Sequence, residues 1–431
     1  MATSSDLVQE LTAWLTENWD PDLTVGEWWD RLGMSGWAAP SYPTDAYGKG
    51  LSREDSVKVQ QTIAEFGALG APGGLGLLLA GPTIATHGTR EQKDLYLPAI
   101  VTGKAAWCQL FSEPGAGSDL AGLGTKAIKD GEEWLVNGQK VWTSGGKLAD
   151  MGMLIARTDV NVPKHQGISY FAFDMHQDGV DIRPLREMTG QALFNEVFLT
   201  DTTVPDAALI GGLNNGWAVA NTTLAFERAG LGAGGGNESG GAAQPGTIAG
   251  DLDRRVGDFV SSGGRRRAGG PGGVGGLTAL LIQQAKQTGQ SADAGVRQNL
   301  AQLYIMNEIA RMNNARSKGM KSKGQDIPGL GNIAKLSMSR ILRLARDTGF
   351  SLLGPAGTVF AYKSDEREAG EEFGGPFAAS IISLGLFAQG PQIYGGTDEI
   401  QHNIIGERVL GLSKEPNNDK VTPFSELPKN G

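Results

Sequence analysis

Cysteine is nearly missing: Cys108 stands alone in 431 residues. That excludes an intrachain disulfide and a cysteine-built metal site, and it fits a reducing, cytoplasmic setting. No metal is expected. No run of about 18 apolar residues occurs, so membrane insertion is not expected. The opening residues, Met1 to Leu15, lack the basic flank and apolar core of a secretory signal. Basic residues are in deficit, 38 against 47 acidic ones, for a formal net charge of −9. A general nucleic-acid surface is therefore not expected.

The length suggests two to four domains. Residues 1–104 read as helical. Leu7, Leu11, Trp14 and Leu15 recur at helical spacing, and so do Val57, Gln60, Ile63, Ala64 and Phe66. Ser52 with Asp55 three residues on resembles a capping box. Trp28, Trp29 and Trp37 are core or interface anchors, and His87 reads as structural. Residues 105–214 switch to short strand-like runs, among them 153–156, 168–173 and 197–199. Residues 215–431 are helical again. They are interrupted by a glycine-rich insert at 230–276, read as a flexible loop with a short helix near Asp251 to Phe259. Arg265, Arg266 and Arg267 inside it read as a solvated patch. Leu300, Leu303, Tyr304 and Ile309 mark one helix, and Ile333, Leu336, Ile341 and Leu344 another. Ile400, Ile404 and Leu410 form a last stripe.

The stretch from Trp107 to Gly145 carries the most information. Gln109 to Ser112 read as a strand end. Glu113 to Asp119 form a tight loop, since Pro114 fixes φ and the glycines allow positive φ. Asn137-Gly138 is a strong hairpin signal between two apolar runs. Exposed amides, a small hydroxyl and a nearby indole suit a planar, phosphate-bearing ligand.

Ser112-Glu113-Pro114-Gly115-Ala116-Gly117-Ser118-Asp119, followed by Gly138-Gln139-Lys140-Val141-Trp142-Thr143-Ser144-Gly145, closely resembles the flavin-binding β-domain of acyl-CoA dehydrogenases. The resemblance covers nearly the whole chain except the glycine-rich insert. It implies an N-terminal helical domain, a middle β-barrel domain and a C-terminal helical bundle, an α+β multidomain fold. It also implies an FAD-dependent desaturation of an acyl-CoA thioester, with electrons passed to an electron-transfer flavoprotein. Gln109, Phe111, Ser112, Trp142, Thr143 and Ser144 are assigned to the flavin ring, with Thr397 and Glu399 also reaching the FAD. Gly117 and Ser118 would lie near the CoA. An acyl-CoA oxidase is the rival on the same scaffold. A non-catalytic partner subunit is the rival of another class.

Two departures from the family pattern matter. Many members place a catalytic Glu in a Tyr-Glu-Gly-Thr turn; here the turn is Tyr394-Gly395-Gly396-Thr397. Other members use a Glu-Arg pair on a helix, matched here by Glu227-Arg228. Glu227 is therefore expected as the base, with Arg228, Ser118 and the Gly395 amide on the substrate side. Asp398 and Glu399 are its competitors. The Arg-x-Phe-Gly and Gln-x-x-Gly-Gly segments that hold the FAD pyrophosphate are also missing; Gln287 to Asp293 and Ser351 to Gly357 stand in their places. A lost charge-assisted bond is worth about 1.5–3 kcal/mol. The combination resembles the Glu-bearing subunit of heteromeric actinobacterial steroid side-chain dehydrogenases. An α2β2 assembly with a homologous partner is expected, a homo-oligomer being the other possibility. Gly395 and Gly396 would leave room for a branched or polycyclic acyl group.

Overall fold

The computed structural model describes residues 4–231, 243–261, 274–321, 323–325 and 327–428. Five helices come first: α1 (Ser4–Asn18), α2 (Val25–Met34), α3 (Arg53–Phe66), α4 (Gly81–His87) and α5 (Arg90–Val101). Strands follow: β1 (Trp107–Leu110), β2 (Lys126–Asp130), β3 (Glu133–Ser144), β4 (Met151–Arg157), β5 (Ile168–Asp174), β6 (Val180–Leu185), β7 (Phe194–Pro205) and β8 (Leu209–Ile210). Helices resume with α6 (Gly216–Leu231), α7 (Gly257–Ser261), α8 (Val274–Gln287), α9 (Ala294–Lys321) and α10 (Leu330–Leu353). They end with α11 (Ser364–Gly374), α12 (Ala378–Phe387) and α13 (Asp398–Ile404).

The N-terminal helices begin where side chains satisfy their first amides. Thr24 and Glu27 form a reciprocal capping box on α2, and Ser52 accepts from the Asp55 amide on α3. Trp28, Trp29 and Trp37 are buried with Leu11, Leu15 and Leu32. The indoles of Trp28 and Trp29 donate to the carbonyls of Leu69 and Gly70. On α3 the buried stripe is Ser56, Val59 and Ile63; Val57 and Phe66 face solvent instead. The 56, 59, 63 spacing keeps one helical face, and position 57 lies about 100° off it.

The strands pair in the order β6-β7-β3-β2-β4-β5-β8, with β1 joined in parallel to β4. Among the described residues no pair joins β6 to β8, the two ends of that order. Asn137-Gly138 does not turn the chain. The hairpin is β2–β3, with Gly131 at φ 59° in its turn. Asn137 instead brackets Asp201 of β7, donating to its carboxylate and accepting from its amide, where the register slips. Thr125 crosses so close to Gly138 that a Cβ there would overlap it. The pair therefore marks a bulge with a close backbone approach, the other use of glycine in a strand.

The glycine-rich insert departs most from expectation. Residues 230–231 complete α6 and 274–276 open α8. The stretch 243–261 docks onto the N-terminal helices rather than forming a loose loop. The amides of Val25 and Gly26 donate to the carbonyls of Arg254 and Leu252, and the Val256 amide donates to Leu23. Val256 and Ala243 are buried in the same core as Trp28 and Trp29. The helix expected at 251–259 forms only at Gly257–Ser261. The segment also reaches the sheet: Thr247 donates from amide and hydroxyl to Asp150. The arginine run 265–267 and the other residues of the insert lie outside the described residues. Val256→Ala is expected to destabilise the protein by about 2 kcal/mol. Chemical denaturation measures this, and an unchanged midpoint would show that the segment does not complete the core.

In the C-terminal bundle, Leu300, Leu303, Leu336 and Ile341 are buried as expected, with Leu281 and Ile381. Tyr304, Ile309, Ile333 and Leu410 are exposed. Ile305, Ile309 and Met312 form an apolar outer stripe on α9.

Candidate active site

Strand β1 and helix α6 meet here. Gln109 Nε2 donates to Glu227 Oε2 at 3.3 Å, joining residues 118 positions apart. α6 is fixed about a turn earlier by α4: Thr223 Oγ1 lies 2.9 Å from Thr83 Oγ1, and Thr222 Oγ1 lies 2.8 Å from His87 Nε2. Burial lowers the His87 pKa, which keeps its ring neutral, in line with a structural role. Val219 and Ala220 are buried, whereas Phe226 reaches solvent. The backbone of Arg228 continues α6; its side chain lies outside the described residues.

Past β1, Phe111 is buried and the Ser112 carbonyl accepts from the Val141 amide at 2.9 Å. Glu113 and Ala116 exchange backbone hydrogen bonds, which turns the loop and leaves Gly117 and Ser118 exposed. Beneath the loop lies Lys140, with side-chain exposure of 0%. Its ammonium donates to Glu113 Oε1 at 2.8 Å and to the Phe111 carbonyl at 3.1 Å. Glu113 also accepts from the amides of Gly124 and Thr125, at 2.6 and 3.0 Å. Burial pushes the Glu113 carboxyl up, but the Lys140 charge and these hydrogen bonds outweigh it and hold it below the usual carboxylate range.

On β3 the register slips between Lys140 and Thr143, and Trp142 sits in the slip at φ 61° with 61% of its surface exposed. A non-glycine residue held there stores strain on the order of 1 kcal/mol or more. Thr143 next to it is buried, and its Oγ1 has no partner among the described residues. Ser144 is half-buried. An outward indole in strained backbone, hydroxyls at its foot and one unsatisfied buried Oγ1 together fit a flat ring system with polar edges.

The turn after α12 is tied to α10. Gln401 Nε2 donates to the carbonyls of Gly395 and Gly396, and Asn332 donates to Gln401 Oε1. Thr397 caps α13 by accepting from the Ile400 amide at 3.1 Å. Asp398 is buried between Lys335 at 2.9 Å and Arg343 at 3.4 Å. Burial opposes its ionisation, but these partners prevail and hold its carboxyl low. A carboxylate so engaged is a weak base. Glu399 is exposed, and its carboxyl too is held low by hydrogen bonds at the helix start. Gly395 stands at φ 64° and Gly396 at φ 81°, so a Glu at 395 would adopt a left-handed backbone.

The two segments expected to lack the pyrophosphate contacts lie together, since Gln290 Nε2 donates to the Leu352 carbonyl at 2.8 Å. Arg297, in the helix that follows, turns its guanidinium to the carbonyls of Ser291 and Ala292.

Comparison with known proteins bears directly on this arrangement. Residues 2–104, 108–202 and 272–410 match the models of the N-terminal, middle and C-terminal domains of acyl-CoA dehydrogenase. IpdE1 of Mycobacterium tuberculosis, an acyl-CoA dehydrogenase, is 32% identical over 389 residues, 90% of this chain and 88% of IpdE1. The chain belongs to the acyl-CoA dehydrogenase family. FadE34 of the same organism is 48% identical over 203 residues, which span 47% of this chain and 28% of FadE34. Among solved structures, the Tcur3481-Tcur3483 steroid ACAD superimposes with a TM-score of 0.68 at 25% identity, covering 96% of this chain and 98% of that one.

Reasoning from sequence placed Gln109 on the cofactor and did not anticipate its bond to Glu227. Their separation along the chain hides it. It also missed the buried Lys140–Glu113 pair. The signal there was a lysine in an otherwise apolar-alternating strand, opposite an acid in a glycine-rich loop.

Proposed function

We propose that this acyl-CoA dehydrogenase family member carries out FAD-dependent α,β-dehydrogenation of an acyl-CoA, with Glu227 as the base. The supporting observation is the Gln109–Glu227 contact at 3.3 Å, which sets a half-buried carboxylate beside the β1 end. From β1 the chain runs directly into Phe111, Ser112 and the exposed amides of Gly117 and Ser118. The thioester acidifies the α-carbon, and Glu227 takes that proton. The carbonyl oxygen gains charge as it leaves and needs donors aimed at it; the Gly395 amide and Arg228 are assigned that task. Gly117 and Ser118 face the CoA. Phe111, Ser112, Trp142, Thr143 and Ser144 hold the flavin ring, with Thr397 and Glu399 at its margin. FAD, when bound, supplies the hydride acceptor for the β-carbon. An electron-transfer flavoprotein then takes the electrons.

A steroid side-chain or branched acyl group and a homologous partner subunit complete the reading. The likeness to the Tcur3481-Tcur3483 steroid ACAD supports both. The absence of the cofactor arginine at 287–293 supports the partner subunit. The outer stripe of Ile305, Ile309 and Met312 is apolar surface of the kind buried between subunits.

The chain purified alone is expected to hold substoichiometric flavin and to fill its site when co-expressed with a homologous partner. Flavin absorbance per protein measures this, alongside turnover of straight, branched and steroid acyl-CoAs. Full occupancy and turnover by the lone chain would refute the partner requirement. Oxygen consumption at the rate of turnover would point to an oxidase.

A further inference from the structure

We propose that Gln109 is the positioning residue for Glu227, its amide holding the carboxylate toward the reacting carbon through the proton transfer. The inference rests on Glu227 being the base and assigns Gln109 a role apart from cofactor binding.

Three observations carry it. The amide and the carboxylate lie 3.3 Å apart, from a strand and a helix that reach one another only through the fold. The donor is mounted rigidly. Its strand neighbours Cys108 and Leu110 are wholly buried, and β1 is paired with β4 in register, Gln109 opposite Met153. The acceptor helix is pinned by Thr222 and Thr223 and leaves Glu227 half-buried, where the Gln109 amide reaches its carboxyl.

The chemistry of a primary amide suits the task. An ionised carboxylate only accepts hydrogen bonds, so Gln109 presents Nε2–H to it. Once Glu227 has taken the α-proton, its carboxyl becomes a donor. A rotation of the amide about its last bond then offers Oε1 to that new O–H. Both protonation states keep a partner, and no charge is added to the site. A leucine of similar volume offers neither.

Among the described residues, the titratable groups on the neighbouring elements have partners of their own; the side chain of Arg228 lies outside those residues. On β5, Tyr170 bonds to Thr223, and Asp174 is exposed and accepts from the His176 amide. On α4, His87 bonds to Thr222. Cys108 is buried, and desolvation pushes its thiol up to about 12, so it stays neutral. Thr222 and Thr223 precede Glu227 by a helical turn or slightly more, and Gln109 supplies a side-chain amide to it.

The test compares wild type, Gln109→Leu, Gln109→Asn and Glu227→Gln as purified holoenzyme, with any partner subunit present. Gln109→Leu is expected to lower kcat about 10-fold with KM little changed, and to move the acidic limb of kcat/KM up by about one pH unit. Gln109→Asn keeps the amide on a shorter stem and is expected to restore the wild-type limb in part. Flavin content should stay at the wild-type level in both. A wild-type pH limb in Gln109→Leu, or lost flavin as its main defect, would overturn the proposal. Normal turnover by Glu227→Gln would instead remove the base itself, so the two failures remain distinct.

Discussion

Glu227→Gln is expected to lower turnover by about 10²–10⁴-fold, the range for losing a positioned general base. The variant keeps the shape of the side chain and an acceptor for Gln109, so flavin content and melting temperature should stay near wild type. Two alternatives are disfavoured by their surroundings. Asp398 is held by Lys335 and Arg343, and Glu399 is exposed. Asp398→Asn should therefore act mainly on the stability of the C-terminal turn. Moving a Glu back to position 395 is not a simple rescue, because the backbone there is left-handed at φ 64°. Single-turnover flavin bleaching with an acyl-CoA measures the proton step directly. Wild-type bleaching by Glu227→Gln would assign the base elsewhere.

Glu113→Ala is expected to be the most destabilising single change near the site. It removes a carboxylate from Lys140, whose side chain is 0% exposed, and leaves an ammonium buried with only the Phe111 carbonyl. Breaking such a pair costs about 3–5 kcal/mol. In a protein of this size that is a fall in Tm of about 3–6 °C. The same change frees the amides of Gly124 and Thr125, so the loop carrying Gly117 and Ser118 should loosen as well. Glu113→Leu combined with Lys140→Met, which removes both charges, should recover much of the loss. The pair also sets an acid limit. The folded-state pKa of Glu113 is depressed, so its contribution is fully present above the ordinary carboxylate range. It is lost as pH falls out of that range and through the depressed folded value. Glu113→Ala should flatten the acid side of the stability profile. A variant with wild-type Tm and an unchanged acid limb would disprove this account.

How far the sequence could be read depended on the range of the interactions involved. The α, β, α succession followed from local periodicity, and the cap at Ser52 from its spacing to Asp55. The loop at Glu113 to Asp119 was legible because proline and glycine restrict or free the backbone locally. Asn137-Gly138 misled because the same dipeptide serves a turn or a bulge, and the choice is made by Thr125 and Asp201, distant in sequence. The docked stretch 243–261 was hidden by composition. Its glycines suggested mobility, while five sparse apolar residues, Ala243, Leu252, Val256, Phe259 and Val260, supply the attachment. In the site, Glu227 was reached by matching a pattern. Its neighbour across the gap could only be seen once strand and helix were placed in space.

The docking of 243–261 has a practical corollary for anyone recombining these enzymes. The helical unit at the front of the chain is assembled from two separated pieces of sequence, and the second piece leads out from the very helix that carries Glu227. A chimaera exchanged at residue 104 would part Trp28 and Trp29 from Val256 and strip hydrogen-bond partners from Val25 and Gly26. Crossovers that transplant both stretches from one parent should yield soluble hybrids, and cuts that divide them should yield aggregates.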